Sequence, residues 1–325
     1  MKSVVEDIKK GSFKPVYLFY GEEAYLKQQY KNCLKNAVLP EGDTINLSIY
    51  SGKGIDVKEM IVQADTMPFF AEHRLLLIED SGFFKNANQQ LAEYIPSIPE
   101  ETIMLFVESE VDKRGKLYKA VSKKGSVVEF TAQNEQTLTR WILGILKTEG
   151  KMITSGAMKQ FLEKTGTDME RIRQELEKLI CYCMEKESIT EEDVAVICSE
   201  QTENKIFDMI NAMAEKKQKK AMELYYDLLA LKEPPMRILY LITRQFNLLM
   251  QVKELSEEGY SAKTISERLK MAGFIVRNCL RQAEYFSLKT LKEALQDCVR
   301  MEEAVKTGRM NDVMSVELLL VKYSS

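Results

Sequence analysis

At 325 residues the chain is longer than one hydrophobic core usually supports, so two or three domains are expected. A net charge of −3 excludes a protein that coats nucleic acid by bulk electrostatics, and 45% hydrophobic with 29% charged residues is an ordinary globular composition. No uncharged apolar run is long enough to span a bilayer, so no membrane association is expected.

The first ten residues carry acids and no apolar stretch before a small-residue cleavage site, which predicts no secretory leader and a cytoplasmic protein. The next 120 residues alternate short β-branched or aromatic runs with helical patterns, the signature of a parallel sheet covered by helices. Five strands are predicted, at Val16–Tyr20, Ile45–Tyr50, Arg74–Glu79, Thr102–Glu108 and Ser126–Phe130, with the middle three or four buried on both faces. Helices over Glu22–Ala37, Asp56–Ala64, Asn86–Ile95 and Gly115–Lys123 supply the crossovers.

The turn after the first strand is where a phosphate-binding loop would sit, because backbone amides and a helix N-terminus converge there. Gly21-Glu22-Glu23-Ala24-Tyr25-Leu26 is read as lacking the second glycine, the lysine and the Ser/Thr of G-x-x-x-x-G-K-[ST], and its two carboxylates would repel a triphosphate. Leu75-Leu76-Leu77-Ile78-Glu79-Asp80 has the apolar-run-then-acid form of a Walker B strand, but without phosphate ligands Glu79 and Asp80 read as remnants or helix caps. His73 is the only histidine, so no His-based triad or His-rich metal site can be assembled. Cys181 and Cys183 lack the second pair that zinc requires, and the six scattered cysteines read as small hydrophobes.

Past Gln133 the strand signal stops and helical periodicity takes over, placing a domain change near Thr137 to Trp141. Behind Thr167 and Asp168, the residues Met169, Ile172, Leu176, Leu179, Ile180 and Cys183 recur at helical spacing, leaving Glu170, Arg171, Glu175 and Lys178 toward water. Thr190 to Asp193 starts a further helix as a capping box. Ile206, Met209, Ile210, Met213, Leu224, Leu228 and Leu231 open a last all-helical region, with breaks at Pro234-Pro235, Gly259 and Gly273. Lys216-Lys217-Gln218-Lys219-Lys220 reads as a linker between two of its helices, and Trp141 as a buried aromatic between domains. The last helix, Val313–Leu320, carries more apolar surface than one face needs.

Several stretches together resemble the delta subunit family of bacterial DNA polymerase III. They are Pro15 to Leu26 at the first strand, Val111 to Lys119 after the fourth, Glu175 to Leu179, Ile242 to Phe246, and Val305 to Arg309 leading to Glu317 to Leu320. The resemblance runs nearly end to end. It implies an N-terminal α/β AAA+-like domain with a RecA-type parallel sheet over 1–138, a small helical lid over 139–203 and an all-α C-terminal collar over 204–325. It also implies a clamp-loader subunit without catalysis of its own, within a DNA-directed DNA polymerase (nucleotidyltransferase) holoenzyme. No cofactor is implied: ATP would be bound by partner subunits. The implied partners are the beta sliding clamp, the gamma/tau and delta-prime subunits through the collar, and primed DNA within the complex.

In this family the clamp is gripped by a hydrophobic element before the third strand, which here is Met67, Pro68, Phe69 and Phe70. From composition alone the two aromatics could equally close the bottom of the sheet, as apolar loop residues usually do. Lys113, Arg114, Lys116 and Lys119 could approach DNA phosphates or could simply be a solvated helix face. A degenerate AAA+ ATPase and a DNA-binding replication or repair adaptor are the competing functions.

Overall fold

The computed structural model describes residues 2–86, 88–198 and 202–324. They fall into two compact units, Met1–Gln133 and Asn134–Ser325.

The first unit runs α1 (Lys2–Lys10), β1 (Val16–Tyr20), α2 (Ala24–Val38), β2 (Leu47–Ser51), α3 (Val57–Ala64) and β3 (Arg74–Glu79). It continues through α4 (Gln89–Tyr94), a 3-10 turn (Ile95–Ser97), β4 (Thr102–Glu108), α5 (Lys116–Lys124) and β5 (Ser126–Glu129). Residue 87, inside the helix expected from Asn86, lies outside the described residues. The five strands form one parallel sheet in the order β2-β3-β4-β1-β5. On one face Val16, Leu18, Leu76, Ile78, Met104 and Phe106 pack with Leu91, Ile95, Leu117 and Val121 of the covering helices. The alternate residues, among them Tyr17, Phe19, Leu75 and Leu105, are equally buried on the other face, where α2 crosses β1 and β4.

Burial corrects one expectation about the strands. The interior ones are β3, β4 and β1, whereas β2 is an edge strand and Ile49 on it is exposed. Strand order in a parallel sheet follows the crossovers, and β1 inserts between β4 and β5, so β2 is left outside despite its apolar content.

The second unit contains α6 (Glu135–Thr148), β6 (Met152–Ile153), α7 (Ser155–Thr165), α8 (Met169–Tyr182), β7 (Ser188–Ile189) and α9 (Glu191–Ile197). It then runs through α10 (Thr202–Ala214), α11 (Gln218–Ala230), α12 (Pro235–Glu257), α13 (Ala262–Leu269), α14 (Gly273–Ala283), α15 (Leu288–Lys306) and α16 (Asp312–Ser324). Side-chain caps start many of these helices: Asn134, Thr154, Asp168, Ser261 and Ser287 each accept a first-turn amide. One apolar cluster, from Ile206 to Tyr323, ties α10, α11, α12, α14, α15 and α16 together.

Several details differ from the sequence reading. The region after Gln133 is not wholly helical, because β6 and β7 pair in parallel, Met152 with Ser188 and Ile153 with Ile189. Two-residue strands carry no periodic signal; this pair is fixed by its surroundings, with Lys151 Nζ donating to the carbonyls of Cys183, Met184 and Lys186 at 2.7–2.8 Å. Glu175 is buried, not solvated, because α8 is covered by α6, α7 and α9, and Lys178 Nζ meets its carboxylate at 2.7 Å. Of the lysine run only Lys216 and Lys217 precede α11, whereas Gly273 stands where expected, at the break between α13 and α14. Leu231 lies past the end of α11, exposed.

The capping box at Thr190 forms, and Asp193 is buried within it. The Lys186 ammonium at 2.5 Å and the Thr190 amide hold the Asp193 carboxyl down at about 2. A depressed carboxyl stabilises the fold above its ordinary value of 3.8, and that stability is lost as pH falls through about 2. Asp193→Asn is expected to be less stable than the parent at pH 6, with the difference shrinking between about pH 4 and 2 in denaturant titrations. A gap that stays constant across that window would contradict this.

Candidate partner-binding tip and the end of the sheet opposite it

The connection from α3 to β3 lies at the amino ends of the strands. It leaves α3 at Asp65, whose carboxylate accepts the Tyr94 hydroxyl at 2.7 Å, and reaches Arg74 through Met67, Pro68, Phe69 and Phe70. Pro68 is half-buried, while Met67 is 72%, Phe69 56% and Phe70 95% exposed. The two rings meet edge to face with centroids 4.6 Å apart, so they form one apolar projection. They do not close the sheet. Phe70 has φ of 50°, a left-handed conformation that costs a bulky side chain about 1–2 kcal/mol.

The loop is tied to the sheet by Asn46, the residue before β2. Its side chain is almost fully buried; Oδ1 accepts the Phe69 amide at 2.6 Å and Nδ2 donates to the Phe69 carbonyl at 2.9 Å. Nδ2 also donates to Asp43 Oδ2 at 2.7 Å, and these bonds hold the Asp43 carboxyl below its ordinary value. Nothing in the sequence marks a link between positions 46 and 69, so Asn46 was not legible there.

At the carboxyl ends of the strands, roughly 20 Å away along the six residues of β3, lies the loop where phosphate could bind. It is closed by the protein itself. Gly21 has φ of 116°, and a Cβ there would stand 2.3 Å from the Phe130 carbonyl oxygen. That oxygen accepts the Glu23 amide at 3.1 Å, and the Phe130 amide donates to the Tyr20 carbonyl at 2.7 Å. Gly21 therefore admits the close approach of the backbone that follows β5.

Lys27 corrects the sequence reading, because it stands six residues after Gly21, at the spacing of the phosphate-loop lysine. Its ammonium donates to the Glu108 carbonyl at 3.2 Å. Burial pulls its pKa down, against the nearby carboxylates of Asp80, Glu108 and Glu23. Leu26 and Gln28 fill the flanking glycine and hydroxyl positions. Glu79 pairs with Lys31 at 2.7 Å and Asp80 accepts the Ser109 hydroxyl at 2.9 Å, so neither caps a helix. Glu108, pushed up by burial, accepts the amides of Ser81 and Gly82 and the Ser81 hydroxyl. The Glu23 amide and the Lys27 ammonium of this loop are thus bound to protein oxygens.

Lys113, Arg114, Lys116 and Lys119 come together, all exposed, in the β4–α5 loop and the first half of α5. Lys113 pairs with Glu129 at 2.8 Å, which raises its pKa together with the Tyr20 hydroxyl, and Arg114 pairs with Asp112 at 3.1 Å. Lys116 and Lys119 extend without an ion pair among the described residues. His73 stands edge-on to Phe13 at 5.8 Å. No His, Cys, Asp and Glu group able to hold a metal occurs among the described residues. Trp141 is half-buried on α6. No described helix is long and apolar enough to cross a membrane.

The five-stranded parallel sheet covered by helices, and the largely helical unit that follows it in sequence, define an α/β protein with a helical second unit. Residues 17–131 match the family model for the DNA polymerase III delta subunit, and residues 203–323 that for its C-terminal domain. The chain is 30% identical over 331 aligned residues to DNA polymerase III subunit delta of Bacillus subtilis strain 168, covering 98% of this chain and 95% of that one. It is 21% identical over 257 residues to the probable DNA polymerase III subunit delta of Aquifex aeolicus strain VF5, covering 75% and 72%. The solved Bacillus subtilis DNA clamp loader delta protein superposes with a TM-score of 0.70 over 99% of both chains, at 30% identity. This chain belongs to the DNA polymerase III delta subunit family.

Proposed function

We propose that the chain grips the beta sliding clamp through Met67, Pro68, Phe69 and Phe70, and opens the ring for loading onto primed DNA. The observation that carries this is the projection of Phe69 and Phe70 from a hydrogen-bonded loop instead of into the core. Two phenyl rings bury roughly 300 Å² or more when inserted into a partner, enough to anchor a small interface. Opening requires that the tip bind the opened or distorted ring better than the closed one, since equal affinity shifts no population.

In this reading 1–138 is the clamp-binding domain, 139–203 a lid and 204–325 a collar joining gamma/tau and delta-prime, in cytoplasmic replication. Met314, Leu318 and Val321, exposed along one side of α16, support an association face in the collar. The chain needs no cofactor, and ATP acts on the partner subunits. Immobilised beta clamp is therefore expected to capture the isolated chain equally with and without ATP, and the chain is expected to show no magnesium-dependent hydrolysis. Capture that requires ATP, or clear turnover, would favour the degenerate ATPase; DNA binding without any clamp capture would favour the adaptor.

Lys116 and Lys119, with Lys113 and Arg114 beside them, are the basic residues for DNA phosphates within the loader. Reversing Lys116 and Lys119 to Glu is expected to reduce the salt slope of primed-DNA binding by the assembled loader by about 2. An unchanged slope would assign them to solvent.

A further inference from the structure

We infer that Asn46 is the positioning residue of the tip: its buried side-chain amide holds Phe69 and Phe70 in the shape that meets the clamp, and fixes that shape to the sheet. The inference rests on the clamp-binding reading.

The geometry is that of a strand partner built from a side chain. Oδ1 takes the Phe69 amide and Nδ2 the Phe69 carbonyl, at 2.6 and 2.9 Å, so both main-chain groups of one residue are held by one planar amide. The amide cannot turn over without placing donor against donor, because Asp43 Oδ2 fixes which end carries the hydrogens. Asp43 Oδ1 in turn accepts the amides of Ile45 and Asn46 at 3.0 Å. On the other side, the Asn46 carbonyl accepts the Leu75 amide at 2.9 Å, the first rung between β2 and β3. One residue therefore belongs both to the sheet ladder and to the tip.

The strain at Phe70 gives this connection its purpose. Phe70 sits in the left-handed region with its ring almost wholly in solvent, so contacts of the ring with its own domain do little to hold it there. The fixed peptide immediately before it does. Without the staple, Phe70 is free to relax to an extended conformation, and its ring would leave the edge-to-face arrangement with Phe69. A tip that must be ordered on binding loses affinity, and a tip that bends to fit any partner surface cannot distinguish an opened ring from a closed one. Rigid attachment is thus what differential binding needs.

The test uses the full chain and immobilised beta clamp, with Asn46→Ala made in the parent and in Phe70→Ala. Capture is expected to weaken about tenfold in the parent and less than about threefold in Phe70→Ala, because the staple acts through the ring it positions. Amide exchange at Phe69 is expected to speed at least tenfold while the amides of β3 keep their protection. Equal losses in both backgrounds, or faster Phe69 exchange with unchanged capture, overturn the positioning role and leave the clamp reading intact. Failure of the parent chain to bind the clamp overturns that reading instead. If Asn46→Ala does not fold, Asn46→Asp combined with Asp43→Asn, which reverses the bond between those two positions and keeps the charge but removes the donor to the Phe69 carbonyl, carries the same comparison.

Discussion

Replacing Phe69 and Phe70 together by alanine is expected to weaken capture of the beta clamp by at least about 100-fold while leaving the fold intact. Interface anchors of this kind contribute about 2 kcal/mol or more each on truncation, and a factor of ten corresponds to about 1.4 kcal/mol. Both rings lie mainly outside the domain, so their removal opens no cavity, and unfolding free energy should change by no more than about 0.5 kcal/mol. Binding by surface plasmon resonance and melting by circular dichroism check the two halves separately. Phe70→Gly sharpens the comparison: it relieves the left-handed strain, so it should stabilise the chain slightly while still losing the contact. Capture by the double variant that equals the parent's would remove the tip from the interface.

Gly21→Ala is expected to be strongly damaging to the first unit, lowering stability by roughly 2–5 kcal/mol. Two costs combine. A φ of 116° is strained for any residue with a Cβ, about 1–3 kcal/mol, and the added carbon would stand 2.3 Å from the Phe130 carbonyl oxygen. That oxygen is backbone, so relief requires displacing the segment after β5, which also carries the Phe130 to Tyr20 and Glu23 to Phe130 bonds. Urea unfolding of the variant reads the loss directly. If Gly21 instead served a phosphate, as in a nucleotide-binding loop, the variant would keep its stability and lose only nucleotide affinity, which is the opposite result.

Much of the first unit was legible because its signals are local. β1, β3 and β4 have the expected boundaries, since each is an apolar run long enough to cross a buried sheet and is bounded by Pro, charged or turn residues. Asp168 and Thr190 announced their helices because a cap satisfies amides only two or three positions away. The exposure of β2, the burial of Glu175 and the pairing of β6 with β7 were not legible, because each depends on which element comes to lie alongside. For Lys27 the spacing was in the sequence, but its partner, the Glu108 carbonyl, is 81 residues away.

By itself, then, the sequence determined the alternation of strands and helices, the change to helices after Gln133, and an incomplete phosphate-loop motif, all consequences of side-chain period and near-neighbour bonding. Only the tertiary structure decided that Phe130 closes the loop at Gly21, that Lys27 faces protein oxygens, and that Asn46 reaches Phe69 to hold two aromatic rings in water. The physical reason is the range of the forces. A backbone preference is set within a few residues, whereas a hydrogen bond or a covered face depends on groups that only folding brings within about 3 Å of each other.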